Sequence, residues 1–218
     1  SVVYFGSYDH NVYALDALTG AKKWSFTTGS VVASSPVVAN GNVYVGSFDN
    51  VTYALNANTG ALVWKVTTGY DQCVQASPAF ANGVIYTGGA FDKKVYALDA
   101  TTGTEKWTYT LNDGLTTAPA VIGNTVYVTS TLGNKTYALN ADTGNFIWSF
   151  QTGNYIYSSP AVVDGIAYFG SYDGNFYAVG QSATSSGSAI PNTVYYAIVI
   201  LILILVIATA IVMLRKRR

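Results

Sequence analysis

The chain has 218 residues, of which 50% are apolar, 14% aromatic and only 10% charged, a composition that can bury a large core and excludes intrinsic disorder. Its formal charge is zero, but Arg215, Lys216, Arg217 and Arg218 stand together at the C-terminus, and residues 1–193 hold 7 Lys, no Arg and 11 Asp plus Glu. That distribution leaves no basic footprint for nucleic acid, and a single cysteine, Cys73, excludes an internal disulfide and any multi-cysteine metal knuckle.

From the N-terminus to residue 180 the sequence repeats. Trp24, Trp64, Trp107 and Trp148 follow one another at intervals of 40, 43 and 41 residues, and each is preceded by the same run: YALDALTGAKKW, YALNANTGALVW, YALDATTGTEKW and YALNADTGNFIW. Pro36, Pro78, Pro119 and Pro160 follow the tryptophans at near-constant spacing, and a fifth copy stops at FYAVG, Phe176 to Gly180. Each period reads as four short strands, typified by SPVV, NVYVGSF, TYALN and LVWKV, with Gly/Asn/Asp turns between them. Asp16, Asn56, Asp99 and Asn140 open a turn whose side chain can bond the backbone two residues on, and Gly20, Gly60, Gly103 and Gly144 can supply a positive φ. Four strands per period of this length predict an all-β chain of four-stranded antiparallel β-propeller blades, four repeats and a partial fifth, with a β-sandwich as the alternative.

The motif A-x-D-x-x-T-G-x-x-x-W is complete at Ala14–Trp24 and Ala97–Trp107, and has Asn for Asp at Ala54–Trp64 and Ala138–Trp148. It resembles the tryptophan-docking motif of pyrroloquinoline quinone (PQQ)-like propeller repeats, and the resemblance covers residues 1–180. It implies that each outer-strand Trp, with its glycine, packs on the neighbouring blade. Such repeats occur in quinoprotein dehydrogenases, in an outer-membrane assembly lipoprotein and in prokaryotic surface proteins, so the family alone does not choose a function. The family's rings are commonly larger than this chain supplies, which implies a fragment of a longer protein with an export signal upstream.

Residues that recur in every copy are expected to be structural, so functional candidates are those that differ. Asp9, Asp49, Asp92 and Asp173 lie four before the repeat Tyr and read as turn residues, with Gly133 in their place in the fourth copy. The lone histidine, His10, takes a hairpin position shared with Asn50, Lys93 and Gly174, and no nucleophile partners it. The segments before the prolines are expected to begin the innermost strands and face the channel. There Gln75, Thr116 and Tyr157 form a candidate ligand-facing rim, and Cys73 has no basic neighbour to activate it. No catalytic, cofactor-binding or metal-ligating set is recognisable: the carboxylates and paired cysteines implied by a quinoprotein are missing, which argues against PQQ and against an enzyme. Asn50 and Asn134 open two N-x-T glycosylation sequons.

Residues 181–193 are small and polar, a flexible tether. Residues 194–214, VYYAIVILILILVIATAIVML, carry no charge and as a helix would span roughly 31 Å, the thickness of a hydrocarbon core. Tyr195 and Tyr196 suit an interfacial belt, and the basic residues 215–218 suit the cytoplasmic side. The expectation is a single-pass membrane anchor with the propeller outside. The chain then reads as a binding or scaffolding module for an unidentified protein or glycan. A quinoprotein dehydrogenase fragment, and an assembly factor acting by β-augmentation, are the alternatives.

Overall fold

The computed structural model describes residues 1–69, 74 and 76–180. Residues 1–180 fall in one compact unit made of five antiparallel sheets taken in chain order. The first sheet has three strands, β1 (Val2–Gly6), β2 (Asn11–Asp16) and β3 (Lys22–Thr27). Three complete sheets follow: β4 (Val37–Ala39) to β7 (Leu62–Thr67) through β5 (Asn42–Ser47) and β6 (Val51–Asn56); β8 (Ala79–Ala81), β9 (Val84–Gly88), β10 (Lys94–Asp99) and β11 (Glu105–Thr110); and β12 (Ala120–Ile122), β13 (Thr125–Ser130), β14 (Lys135–Asn140) and β15 (Phe146–Gln151). The fifth sheet consists of β16 (Ala161–Val163), β17 (Ile166–Gly170) and β18 (Phe176–Gly180). The architecture is all-β and propeller-like, with each sheet a blade. The predicted anchor, tether and basic tail lie outside the described residues, within which no helix is long and apolar enough to cross a membrane.

Local chemistry accounts for the blade. Asn40-Gly41, Asn82-Gly83 and Asp164-Gly165 have positive φ at both residues, the two-residue turn whose twist matches paired strands, and they join the first strand to the second. Each ladder between third and fourth strands shifts register after the alanine that faces the tryptophan: Ala14, Ala54, Ala97 and Ala138. This bulge leads directly into the D/N-x-x-T-G turn.

Alternation along the strands gives every complete blade two apolar faces. Val43, Val45, Tyr53 and Leu55 of the second blade pack with Val12, Ala14 and Trp24 of the first. Val126, Val128, Tyr137 and Leu139 of the fourth blade do the same with Trp107 of the third. The core is therefore a series of layers between consecutive blades, and the short innermost strands β4, β8, β12 and β16 touch one another in that order.

One expectation is corrected. The innermost strands begin after the prolines, so the residues before them belong to the connections between blades. A proline cannot donate to a ladder, and here it ends the connection and leaves the strand to start one residue later.

Candidate functional site

At one end of each blade the turns do structural work. In the first, Asp16 Oδ1 accepts hydrogen bonds from the N–H of Leu18 and of Thr19 and from the Thr19 hydroxyl, each at 3.1 Å. Asn56, Asp99 and Asn140 make the same three contacts in their copies. The backbone N–H groups of the turn hold the Asp16 carboxyl at about 2, with Thr19 the main donor. Asp99 is lowered for the same reason, chiefly by Thr102.

The turn also receives the preceding blade. The indole N–H groups of Trp24, Trp64 and Trp107 donate to the carbonyls of Ala57, Ala100 and Ala141, each at 2.9 Å. The same carbonyls accept a second bond from the phenols of Tyr4, Tyr44 and Tyr86. The indoles lie over Gly60, Gly103 and Gly144, where a Cβ would come within 2.7–2.8 Å of the ring. Glycine is thus required twice, for a positive φ and for the ring above it. Trp148 is only half-buried, and the position in the fifth blade that matches its acceptor, residue 181, lies outside the described residues. The tyrosines were not singled out in the sequence; their recurrence on the second strand was the available signal.

The opposite end gathers the hairpins between second and third strands with the connections between blades, held together by bonds such as Phe48 N–H to the Val31 carbonyl and Tyr172 N–H to the Tyr155 carbonyl. Asp9, Asp49, Asp92 and Asp173 each accept the N–H two residues on and the phenol O–H four residues on. The Tyr13 hydroxyl is the main reason that the Asp9 carboxyl sits at about 2. Burial, then the carboxylate partner, pushes Tyr53 and Tyr96 upward.

The fourth blade solves the loss of its aspartate from outside the hairpin. Asn112, in the preceding connection, accepts the Tyr137 hydroxyl at 2.8 Å and donates to the Gly133 carbonyl at 3.0 Å. A Cβ on Gly133 would lie 2.4 Å from Asn112 Oδ1, and one on Gly29 would lie 2.7 Å from Asp49 Oδ2. One polar side chain fits at this junction, from the hairpin or from the connection. His10, Asn50 and Lys93 all have φ between 58° and 73°, as their hairpin position demands.

Between the serine or its substitute and the aspartate, or Gly133 in the fourth copy, every hairpin carries one large apolar side chain: Tyr8, Phe48, Phe91, Leu132 and Tyr172. Four of them, all but Phe48, are 52–76% exposed. Tyr172 continues into the connection through Tyr157, at 5.3 Å between ring centres, and on to Tyr155 at 6.4 Å. Of the expected rim, then, Tyr157 is on an exposed tyrosine cluster, while the Thr116 hydroxyl is engaged with Thr131. Gln75 and Cys73 lie outside the described residues. In the two sequons, Thr52 and Thr136 are fully buried.

The sequence profile of the family described as outer membrane protein assembly factor BamB matches residues 1–111 and 91–186. The chain belongs to this family of PQQ-like propeller repeats. Among solved structures the PQQ-like chain superposes on BamB from Moraxella catarrhalis (TM-score 0.71, 22% identity, 83% of this chain and 58% of that one). It also superposes on the computationally designed protein Ika8 (TM-score 0.74, 19% identity, 83% and 55%). A third match is a quinohemoprotein alcohol dehydrogenase from Pseudomonas putida HK5 (TM-score 0.67, 22% identity, 82% and 39%). The chain thus spans little more than half the length of the first two, and these likenesses establish the fold alone. No curated protein matches the sequence.

A quinone cofactor on a divalent metal needs converging carboxylates. Among the described residues no three His, Cys, Asp or Glu side chains converge, and the hairpin and turn aspartates above are spent on their own backbone and tyrosines. The described residues do not supply that set.

Proposed function

We propose that this PQQ-like chain is a non-catalytic binding module, displayed outside the cell on the single-pass anchor of residues 194–214. The observation that carries the reading is the exposed apolar residue at four of the five hairpin tips. A side chain repeated for packing would be buried like Tyr44 or Leu55; Tyr8, Phe91, Leu132 and Tyr172 recur at one place and face solvent. Exposed aromatic groups on rigid supports are the usual anchors of protein contacts. The tyrosines also bring hydroxyls that tolerate varied partners.

Photo-crosslinking in native membranes tests this. A benzophenone side chain at Phe91 or Tyr172 is expected to trap one discrete partner, whereas the same group at Lys65 on an outer strand traps none. Equal, diffuse labelling from all three positions would overturn the reading. The family match favours a second reading, assembly of membrane proteins; in that case the trapped species is an integral membrane protein rather than an envelope or foreign surface component.

A further inference from the structure

The connection that leads into the fifth blade, residues 152–160, carries rings that its own packing does not use. Each connection sends one apolar residue into the core, and Val32, Val74, Leu115 and Ile156 are all 0–1% exposed. The neighbours of Ile156, Tyr155 and Tyr157, are 43% and 53% exposed. Their positions hold Val31 and Ala33, Cys73 and Gln75, or Gly114 and Thr116 in the other copies, so the repeat itself asks for no aromatic group there. Tyr157 meets the hairpin residue Tyr172 with ring centres 5.3 Å apart and planes at 65°, and meets Tyr155 at 6.4 Å and 90°. Rings set edge to face leave open corners, in which one small group touches two aromatic walls.

The charge around this cluster has one sign. Tyr8 has His10 in its hairpin, Phe91 has Lys93 and Lys94, and Leu132 has Lys135, but Tyr172 is followed by Asp173, Gly174 and Asn175. Residues 152–180 hold two carboxylates, Asp164 and Asp173, and no Lys, Arg or His; Asp164 stands in the turn at the other end of β17. The preceding hairpin shows a cation beside a ring of this kind: Lys135 Nζ lies 5.8 Å from the centre of the Tyr137 ring. One blade on, Asn175 takes the place of that lysine.

We propose that the Tyr155, Tyr157 and Tyr172 cluster binds an arginine side chain of a protein partner, with the guanidinium stacked in the corner between two tyrosine faces. The proposal rests on the reading of the chain as a binding module and names the group that the module takes. The face of an aromatic ring is negative and attracts a cation, and the carboxylate of Asp173 adds to the same field. Asp173 does not supply a two-pronged salt bridge. Its Oδ1 already accepts the N–H of Asn175, and its Oδ2 accepts the Gly153 N–H and the Tyr177 hydroxyl. The rings therefore carry the contact, which favours arginine over lysine. These tyrosines are open to water, and a guanidinium is more weakly hydrated than an ammonium and presents a plane that lies flat on a ring.

The test is the binding of a fluorescein-labelled peptide of three Gly-Ser-Arg repeats to the full chain in maltoside micelles, followed by anisotropy. The same peptide is titrated with lysine, and with citrulline, the uncharged isostere, in place of arginine. The arginine peptide is expected to bind at least ~10-fold tighter than the citrulline peptide and about 3-fold tighter than the lysine peptide. Tyr157→Leu keeps the apolar bulk but not the ring and should weaken arginine-peptide binding by ~5-fold or more, whereas Tyr157→Phe should hold it within about 2-fold of the unaltered chain. No saturable binding of the arginine peptide, equal binding of the citrulline peptide, or equal losses in the two Tyr157 variants would overturn the proposal. So would glycerophosphocholine displacing the labelled peptide at a lower concentration than unlabelled peptide does, since the rings would then serve a lipid head group. A partner trapped from Tyr172 whose linked segment carries no arginine would overturn this inference and leave the binding module. The absence of any trapped partner would overturn the module, while the peptide titration still reads the tyrosine site.

Discussion

The junctions between the first four blades and the open face of the first blade use the same residues with opposite outcomes. Val43, Val45, Tyr53 and Leu55 are 0–5% exposed, but Val3 and Phe5 remain in contact with solvent, and Tyr13 and Leu15 are half-buried. The strands and turns of the first blade are nevertheless as regular as the rest, including the bulge after Ala14 and the three bonds to Asp16. Blade geometry is thus a property of one repeat, while the core is a property of two. This is the energetics of a repeat protein, in which each unit is completed by its neighbour.

The tryptophans give the widest contrast. Trp64→Ala is expected to cost about 3–5 kcal/mol in a denaturant titration of the detergent-solubilised chain, as for a buried aromatic truncation. Trp148→Ala, from a half-buried site, should cost less than half as much. Equal costs would mean that burial between blades does not set the stability of the junction.

Gly103→Ala and Gly20→Ala separate the two demands on the turn glycine. Both carry the left-handed backbone, about 1–2 kcal/mol for a residue with a side chain, but only Gly103 lies under an indole. Overpacking adds ~1–3 kcal/mol there. Identical losses in thermal unfolding would show that the ring shifts freely.

The Asn112–Gly133 pair gives a smaller effect. Asn112→Gly leaves the Tyr137 hydroxyl without its acceptor and should cost about 1–2 kcal/mol. Adding Gly133→Asp to that variant restores the arrangement of the other hairpins and should recover most of it. A double-mutant cycle with no coupling would break the interpretation.

The smallest contrast is in acid. The ordinary carboxyl value near 3.8 falls to about 2 for Asp16 in the folded chain, so the folded state prefers the charged form. The stabilisation is complete above pH ~4 and disappears as the pH falls through about 2. Asp16→Asn, which installs the residue found at Asn56 and Asn140, should flatten the stability profile in that window and leave it unchanged at pH 7. An identical acid limb would count against the turn bonds as its origin.

Much of the candidate site was legible because it is local. The side-chain-to-backbone bonds of Asp16 or Asp9 span two or three residues, and turn chemistry predicts them from the sequence. The exposed hairpin residue was present in every copy, yet only its solvent exposure distinguishes Tyr172 from a packing residue such as Tyr177. Asn112 shows the opposite limit. It lies 25 residues from the tyrosine that it serves, and nothing in its own repeat announces the task.

The sequence by itself determined the period, the eighteen strands of the described residues and the turns between them, because alternation, Asn-Gly pairs and the D/N-x-x-T-G run each act within a few residues. Tertiary structure alone decided which carbonyl receives each indole, which tyrosine shares it, and which of the four similar turns stays open. The indole contacts join residues 33–36 positions apart and the tyrosine contacts 53–56 apart, across separate sheets, and burial there depends on the neighbouring blade, not on the strand that carries the side chain.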